Sequence, residues 1–159
     1  MTPESNNHSG PILERPMAFF EQDDWAFERD EEETLLRLSY EGENGTWPCM
    51  AQAIQERERF VFYSSLPKFV PSLMRLEAGE YLGRANYGME IGNFEMDFDD
   101  GEVRFRTSVD IEGGVLTDIM IRNLAYTNIA VMDQYLPGLR QVVNDGIEPA
   151  KAIAAVEEE

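Results

Sequence analysis

Few residues in this chain have the type and spacing that chemistry needs. Ser65-Leu66-Pro67-Lys68 shows the Ser-x-x-Lys spacing of penicillin-interacting enzymes, in which the Ser opens a helix and the Lys one turn later takes its proton. Pro67 lies between them, and neither Ser-Asp-Asn nor Lys-Thr-Gly occurs anywhere, so the match reads as chance. Asp97-Phe98-Asp99-Asp100-Gly101-Glu102 is acidic enough for a calcium loop, but an EF-hand needs Gly at position six and a bidentate Glu at position twelve. Here Gly101 stands at five and Ser108 at twelve, which leaves a hairpin turn. Cys49 and His8 are the only cysteine and histidine, which removes internal disulfides and most histidine-based metal sites, triads and acid/base pairs. Cys49 falls on the apolar side of a predicted strand, where a thiol is normally buried and inert. Asn7-His8-Ser9 and Asn44-Gly45-Thr46 are glycosylation sequons in form only, since no secretory signal accompanies them. No phosphate-binding glycine loop is present, so carboxylate pairs alone remain for catalysis, and 31 acids make such pairs frequent by chance. No catalytic, cofactor-binding or metal-binding residue is assigned, and no cofactor is expected.

The 159 residues suit one domain, and 43% apolar with 28% charged residues is the balance of a chain that builds a core. Thirteen Lys and Arg stand against 31 Asp and Glu, a net charge of −18, which makes the average surface repel phosphates and anionic lipids. Neither nucleic acid nor membrane is expected as a partner. The opening Met1-Thr2-Pro3-Glu4-Ser5 has no basic or apolar signal region, and no apolar run approaches the roughly 20 residues of a membrane span. A cytoplasmic location is expected.

The elements that must position any site can be laid out by pattern. Residues 1–10 are small and polar and are expected to form a disordered tail, followed by a single α+β domain over 11–157. Its first part, 11–33, is an acidic arm with a short helix, carrying ten acids and two arginines along residues 1–33. It reads as a solvated arm, or as one docked through Trp25 and Phe27 on the sheet or a partner. From Thr34 to Ser65 the pattern predicts three antiparallel strands. A type I′ turn on Asn44-Gly45 pairs Leu36, Leu38 and Tyr40 with Ala53, Ala51 and Cys49. A second turn at Glu56-Arg57 sets Phe60 opposite Ala53 and Phe62 opposite Ala51. Small residues between large ones leave room for a helix over Ala51 and Ala53, and Pro71 to Tyr87 supplies it, closed by Gly88. A hairpin over 90–111 turning at Asp100-Gly101 pairs Phe98, Met96 and Phe94 with Val103, Phe105 and Thr107, and Asp97 and Glu95 with Arg104 and Arg106. Thr117 then caps a long helix that kinks or stops at Pro137-Gly138, before a short helix over 149–156. The predicted order is α-β-β-β-α-β-β-α with a short final α: an antiparallel sheet of three strands plus a two-strand hairpin, packed with helices.

Arg84-Ala85-Asn86-Tyr87-Gly88, the strand Ile91-Gly92-Asn93-Phe94-Glu95-Met96-Asp97, the segment Asp100-Gly101-Glu102-Val103-Arg104, and a long helix carrying Asn123, Tyr126 and Asn128 resemble the YbjN-like family of bacterial sensory transduction regulators. The resemblance runs from about Trp25 to Val156. It implies a fold similar to type III secretion chaperones, which are small, acidic, commonly homodimeric and bind extended protein segments. It brings no set of functional residues. The reading that follows is a non-enzymatic homodimer with a chaperone-like or regulatory role, capturing a basic or amphipathic segment of another protein. The dimer contact is expected on the middle helix at Met74, Gly79, Tyr81, Leu82 and Gly83, although that helix also suits packing on its own sheet. The partner or ligand surface is expected at Trp25, Phe27, Trp47, Tyr63 and Tyr126. The alternative is a small-molecule sensor with a pocket between helix and sheet near Trp47, Tyr63 and Tyr126.

Overall fold

A computed structural model describes residues 11–158 apart from 31 and 33; the tail expected at 1–10 lies outside the described residues. The elements run α1 (Glu14–Gln22), β1 (Phe27–Asp30), β2 (Leu35–Glu41), β3 (Thr46–Ile54), β4 (Arg59–Ser65), α2 (Arg75–Asn86), β5 (Asn93–Met96), β6 (Val103–Asp110), α3 (Asp118–Asp145) and α4 (Pro149–Glu157). All strand pairs are antiparallel, in one sheet of order β1-β2-β3-β4-β6-β5. The α+β architecture is the expected one, with a sixth strand added.

That strand comes from the acidic arm, which docks. Leu13 just before α1 and Pro16 and Phe20 within it are buried, about one turn apart, while Glu14 and Arg15 between them face water. Pro16 is tolerated because it sits in the first helical turn, where its missing N–H has no partner to lose. The chain then reverses through Asp24, at φ 55°, and the Trp25 N–H returns to the Phe20 carbonyl at 2.9 Å. β1 follows, with Phe27 opposite Leu38.

Two hairpins fold in a register two residues away from the expected one. Leu36, Leu38 and Tyr40 face Ala51, Cys49 and Trp47, and Phe94 and Met96 face Phe105 and Val103 while Glu95 faces Arg104. A shift of two preserves which face each side chain occupies, so the core row survives intact. Both shifts trace to the turns. Between β2 and β3 the Gly42 N–H bonds the Gly45 carbonyl, centring the turn on Glu43-Asn44, and Asn44 does not take the positive φ of a type I′ turn. Between β5 and β6, Asp97 and Asp100 accept from the N–H groups of Asp99 and Glu102, forming side-chain turns that lengthen the loop and leave Phe98 off the strand. The turn between β3 and β4 gives the expected pairs, Ala53 with Phe60 and Ala51 with Phe62.

The helices gather on the face carrying Leu36, Leu38, Cys49, Ala51, Phe60, Phe62 and Phe105. The helix crossing the middle of the sheet is α3, against β4 and β6, rather than α2. Phe20 of α1 approaches Phe62, the cross-strand neighbour of Ala51. α2 instead packs on β5, α3 and α4. One buried amide fixes α3 on its strands: Asn128 Nδ2 donates to the carbonyls of Phe62 on β4 and Phe105 on β6, at 2.9 and 3.0 Å. The Asn86 amide performs a similar service at the sheet edge, donating to the Phe94 carbonyl and accepting from the Phe94 N–H.

Thr117 caps α3 as expected, its hydroxyl accepting from the Met120 N–H, but the helix does not stop at Pro137. It continues to Asp145. A proline inside a helix withholds the N–H that should bond the carbonyl four residues back, here that of Asp133. Asn44 Nδ2, from the turn between β2 and β3, donates to that carbonyl at 2.9 Å. The Asp133 carboxylate accepts the N–H groups of Glu43 and Asn44, and Arg140 donates to the Asn44 carbonyl at 2.6 Å. On the other side, the Tyr81 hydroxyl of α2 donates to the Tyr135 carbonyl at 2.6 Å, and Gly138 makes room for that ring. Turn, α2 and α3 thus meet at the proline.

Two outcomes follow for stability. Tyr81→Phe, which leaves the Tyr135 carbonyl without this buried donor, is expected to lower the unfolding free energy by about 1–3 kcal/mol, measured by urea titration with an unchanged slope. Pro137→Ala restores a backbone donor to Asp133, so Asn44→Ala is expected to be less damaging in that background than in the native chain. Additive effects in the double-mutant cycle would refute the substitution of one donor for the other.

Candidate functional site

The residues expected at a dimer contact do not share one surface. Tyr81 and Leu82 are buried in the protein's own core, with the Tyr81 hydroxyl committed to Tyr135, and Met74 is half-buried in the turn preceding α2. Gly79 is covered from within: a Cβ there would lie 2.8 Å from the Phe98 ring, which the lengthened β5–β6 loop brings over the helix. Gly83 alone faces open space. The outward face of this segment is instead carried by Leu73, Leu76 and Tyr87, which are 89%, 79% and 91% exposed. With Glu80 and Gly83, these residues recur at alternating three- and four-residue steps. Sequence reasoning missed them because inward periodicity through Ala78, Tyr81, Leu82 and Ala85 was the stronger signal.

The expected partner surface also divides. Trp47 is 1% exposed, with its indole N–H donated to the Ser64 hydroxyl. Tyr63 is on the other face of the sheet, where the Arg104 guanidinium lies 4.2 Å from its ring centroid. Phe27 is half-buried on the edge strand β1. The pocket expected near Trp47, Tyr63 and Tyr126 is therefore not formed, because strand alternation puts Tyr63 opposite the helix layer. Trp25 and Tyr126 do come together, with ring centroids 6.1 Å apart, and Tyr40 joins them 5.7 Å from Trp25. With Asp23, Asp24 and Ser39 they line a cleft of about 250 Å³ where the end of α1 meets β2 and α3. Tyr126 donates to the Asp23 carboxylate. That bond, with partial burial, pushes the phenol up to about 12, so it stays a neutral donor at neutral pH.

A second concavity, of about 280 Å³, opens between the β4–α2 connection and the last turns of α3. Leu66, Phe69, Leu139 and Val143 supply apolar walls, and Lys68 and Arg140 are its two cations. Lys68 makes no ion pair with any described residue. Ser65 ends β4 and Lys68 lies in the loop, so the Ser-x-x-Lys helix geometry is not formed. Among the described residues no group of three or more His, Cys, Asp or Glu gathers as a metal site, and no helix is long and apolar enough to cross a membrane.

With the geometry in view, comparison with known proteins resolves the lineage. The family model YbjN, described as "Putative bacterial sensory transduction regulator", matches residues 14–141. The chain belongs to the YbjN family. Among solved structures it is similar to the one titled "Crystal structure of YbjN, a putative transcription regulator from E. coli", at TM-score 0.56 and 15% identity over 77% of this chain and 87% of that one. More distant are the ExsC-ExsE complex, at TM-score 0.47 and 14% identity over 71% of this chain and 81% of that one, and the HopA1-SchA chaperone-effector complex, at TM-score 0.43 and 14% identity over 78% and 88%. No curated protein matches the sequence. The YbjN match spans α1 to the last turns of α3, so it includes the arm, the aromatic cleft and the outward face of α2.

Cys49 is excluded from thiol chemistry by its setting. It is buried beside Ser64, and burial pushes its thiol from the ordinary 9.0 up to about 12 against the opposing hydrogen bonds. The native protein is expected to ignore a thiol-reactive dye at pH 8 and to react fully in denaturant. Because the unfolded thiol ionises first, this group also lowers stability as pH rises above about 9, and does so until about pH 12.

Proposed function

We propose that this YbjN-family chain is a non-enzymatic, homodimeric protein-binding module with a chaperone-like or regulatory role, and that it captures a basic or amphipathic segment of another protein. The family supports a regulatory role. The observation that carries the dimer is the outward side of the segment around α2, where Leu76 on the helix, Leu73 in the turn before it and Tyr87 just after it are largely exposed in the single chain. Apolar side chains scattered singly need no explanation, whereas three gathered around one helix mark a candidate interface.

A second copy suits that face because the face is self-complementary. In an antiparallel pairing about Glu80, Leu73 approaches the partner's Tyr87, and Leu76 reaches the gap left by the partner's Gly83. Leu76 then meets a position with no side chain, as a knob meets a hole. Glu80 is already paired with Arg84 at 2.8 Å, so the axis is not left with two bare carboxylates. The net charge of −18 then raises encounter rates with a basic segment and screens with salt.

The groove beside Lys68 favours a second reading, a sensor for an amphipathic anion, because its cations border apolar walls. Dodecanoate at saturating concentration is then expected to raise the melting temperature, and Lys68→Glu to abolish the rise.

The dimer is tested by native mass spectrometry. The native chain is expected at twice its 18.2 kDa mass and Leu76→Arg at one, with an unchanged far-ultraviolet spectrum. A monomeric native chain, or a dimer that survives Leu76→Arg, overturns this part of the proposal.

A further inference from the structure

The cleft at the end of α1 carries two carboxylates whose charge no described Lys or Arg neutralises. Its aromatic side chains come from three elements distant in sequence: Trp25 from the turn after α1, Tyr40 from β2 and Tyr126 from α3. Each is held in place. The Trp25 indole N–H donates to the Ser39 carbonyl at 3.0 Å, Tyr126 donates to Asp23, and the Tyr40 ring is held between those of Trp25 and Trp47. Two carboxylates, Asp23 and Asp24, complete the lining. Neither has a Lys or Arg within ion-pair distance among the described residues, although the arm contains Arg15 and Arg29.

Asp24 strengthens the point from the backbone. It occupies the left-handed region at φ 55°, the position closing a helix at which glycine is usual. Asp is one of the few other residues that tolerate this conformation, and its use puts a carboxylate beside Trp25 where glycine would put none. Electron-rich ring faces with nearby carboxylates attract a cation and give an anion nothing.

We propose that this cleft is a subsite for a cationic side chain, an Arg or Lys carried on an extended basic segment of the protein partner. The inference rests on the protein-binding reading above and adds the chemistry of recognition to it. The aromatic rings take the flat guanidinium or the alkyl stem, and Asp23 and Asp24 take the charge. The specificity is for a cation flanked by small residues, since Tyr126 and Tyr40 wall the cleft on two sides. An apolar side chain would leave the charge of both carboxylates unneutralised.

The two indoles make the test internally controlled. Trp25 lines the cleft, whereas Trp47 is 1% exposed and bonded to Ser64. Isotope-labelled full-length protein is titrated with the peptide acetyl-Gly-Arg-Gly-Arg-Gly-amide, with the same peptide bearing Leu for Arg, and with sodium chloride at matched ionic strength. The expected result is a saturable shift of the Trp25 indole resonance with the arginine peptide alone, while that of Trp47 stays fixed. Asp24→Asn, which keeps a residue tolerant of positive φ, is expected to weaken binding three- to tenfold with the rest of the spectrum unchanged. Tyr126→Leu, on the exposed side of α3, is expected to do the same. A Trp25 shift equal in sodium chloride or with the leucine peptide, or an affinity indifferent to both substitutions, overturns the subsite. The readout requires neither the natural partner nor the dimer. Its failure therefore leaves the module reading standing, and a monomeric chain that still shows the saturable Trp25 shift upholds the subsite while removing the dimer.

Discussion

A single missing hydrogen organises this fold. Pro137 cannot supply an N–H to the Asp133 carbonyl, which leaves that partly exposed acceptor free of the helical ladder and open to a donor from elsewhere. The donor is Asn44, far away in sequence on the turn between β2 and β3. Once Asn44 is there, the Asp133 carboxylate and Arg140 hold the rest of the turn, and the turn sets the β2–β3 register. Directly beyond the proline, Gly138 admits the Tyr81 ring, which seats α2 on α3. The sheet, the middle helix and the long helix are joined where the helical ladder is interrupted.

This also explains what could be read from the sequence and what could not. Alternation along Leu36-Leu38-Tyr40, Ala51-Ala53 and Phe60-Phe62 identified the buried face correctly, because strand geometry allows no other periodicity. The exact pairing of two hairpins was not readable, because turn propensity is local whereas Asn44 is held by a helix nearly ninety residues later. Pro137 reads as a stop by propensity, and only a tertiary donor lets the helix pass it. β1 was missed because Phe27-Glu28-Arg29-Asp30 is mostly charged, and its pairing depends on the backbone of β2 more than on its own side chains.

The candidate surfaces were readable to different degrees. Trp25 and Tyr126, both expected on a partner or ligand surface, line one cleft with Tyr40, and Asp23 and Asp24 join them through the docked arm. Tyr81 and Leu82 carried the clearest helical periodicity, and for that reason they are core. Exposed apolar residues have no periodic signature of their own beside such a pattern. Leu73, Leu76 and Tyr87 become meaningful only once the inward face is known. The fold thus separates exposed apolar side chains around α2 from an acidic aromatic cleft at the end of α1.

The edges of the sheet limit how anything else can join it. β5 is closed by Asn86, whose amide takes both the N–H and the carbonyl that Phe94 would offer a neighbouring strand. β1 is four residues long and carries Glu28, Arg29 and Asp30, a composition that discourages lateral growth. Backbone pairing is the least selective way for two chains to associate, and it leads as readily to fibres as to complexes. With both margins guarded in this way, copies of this protein can be crowded together without zipping into a continuous sheet.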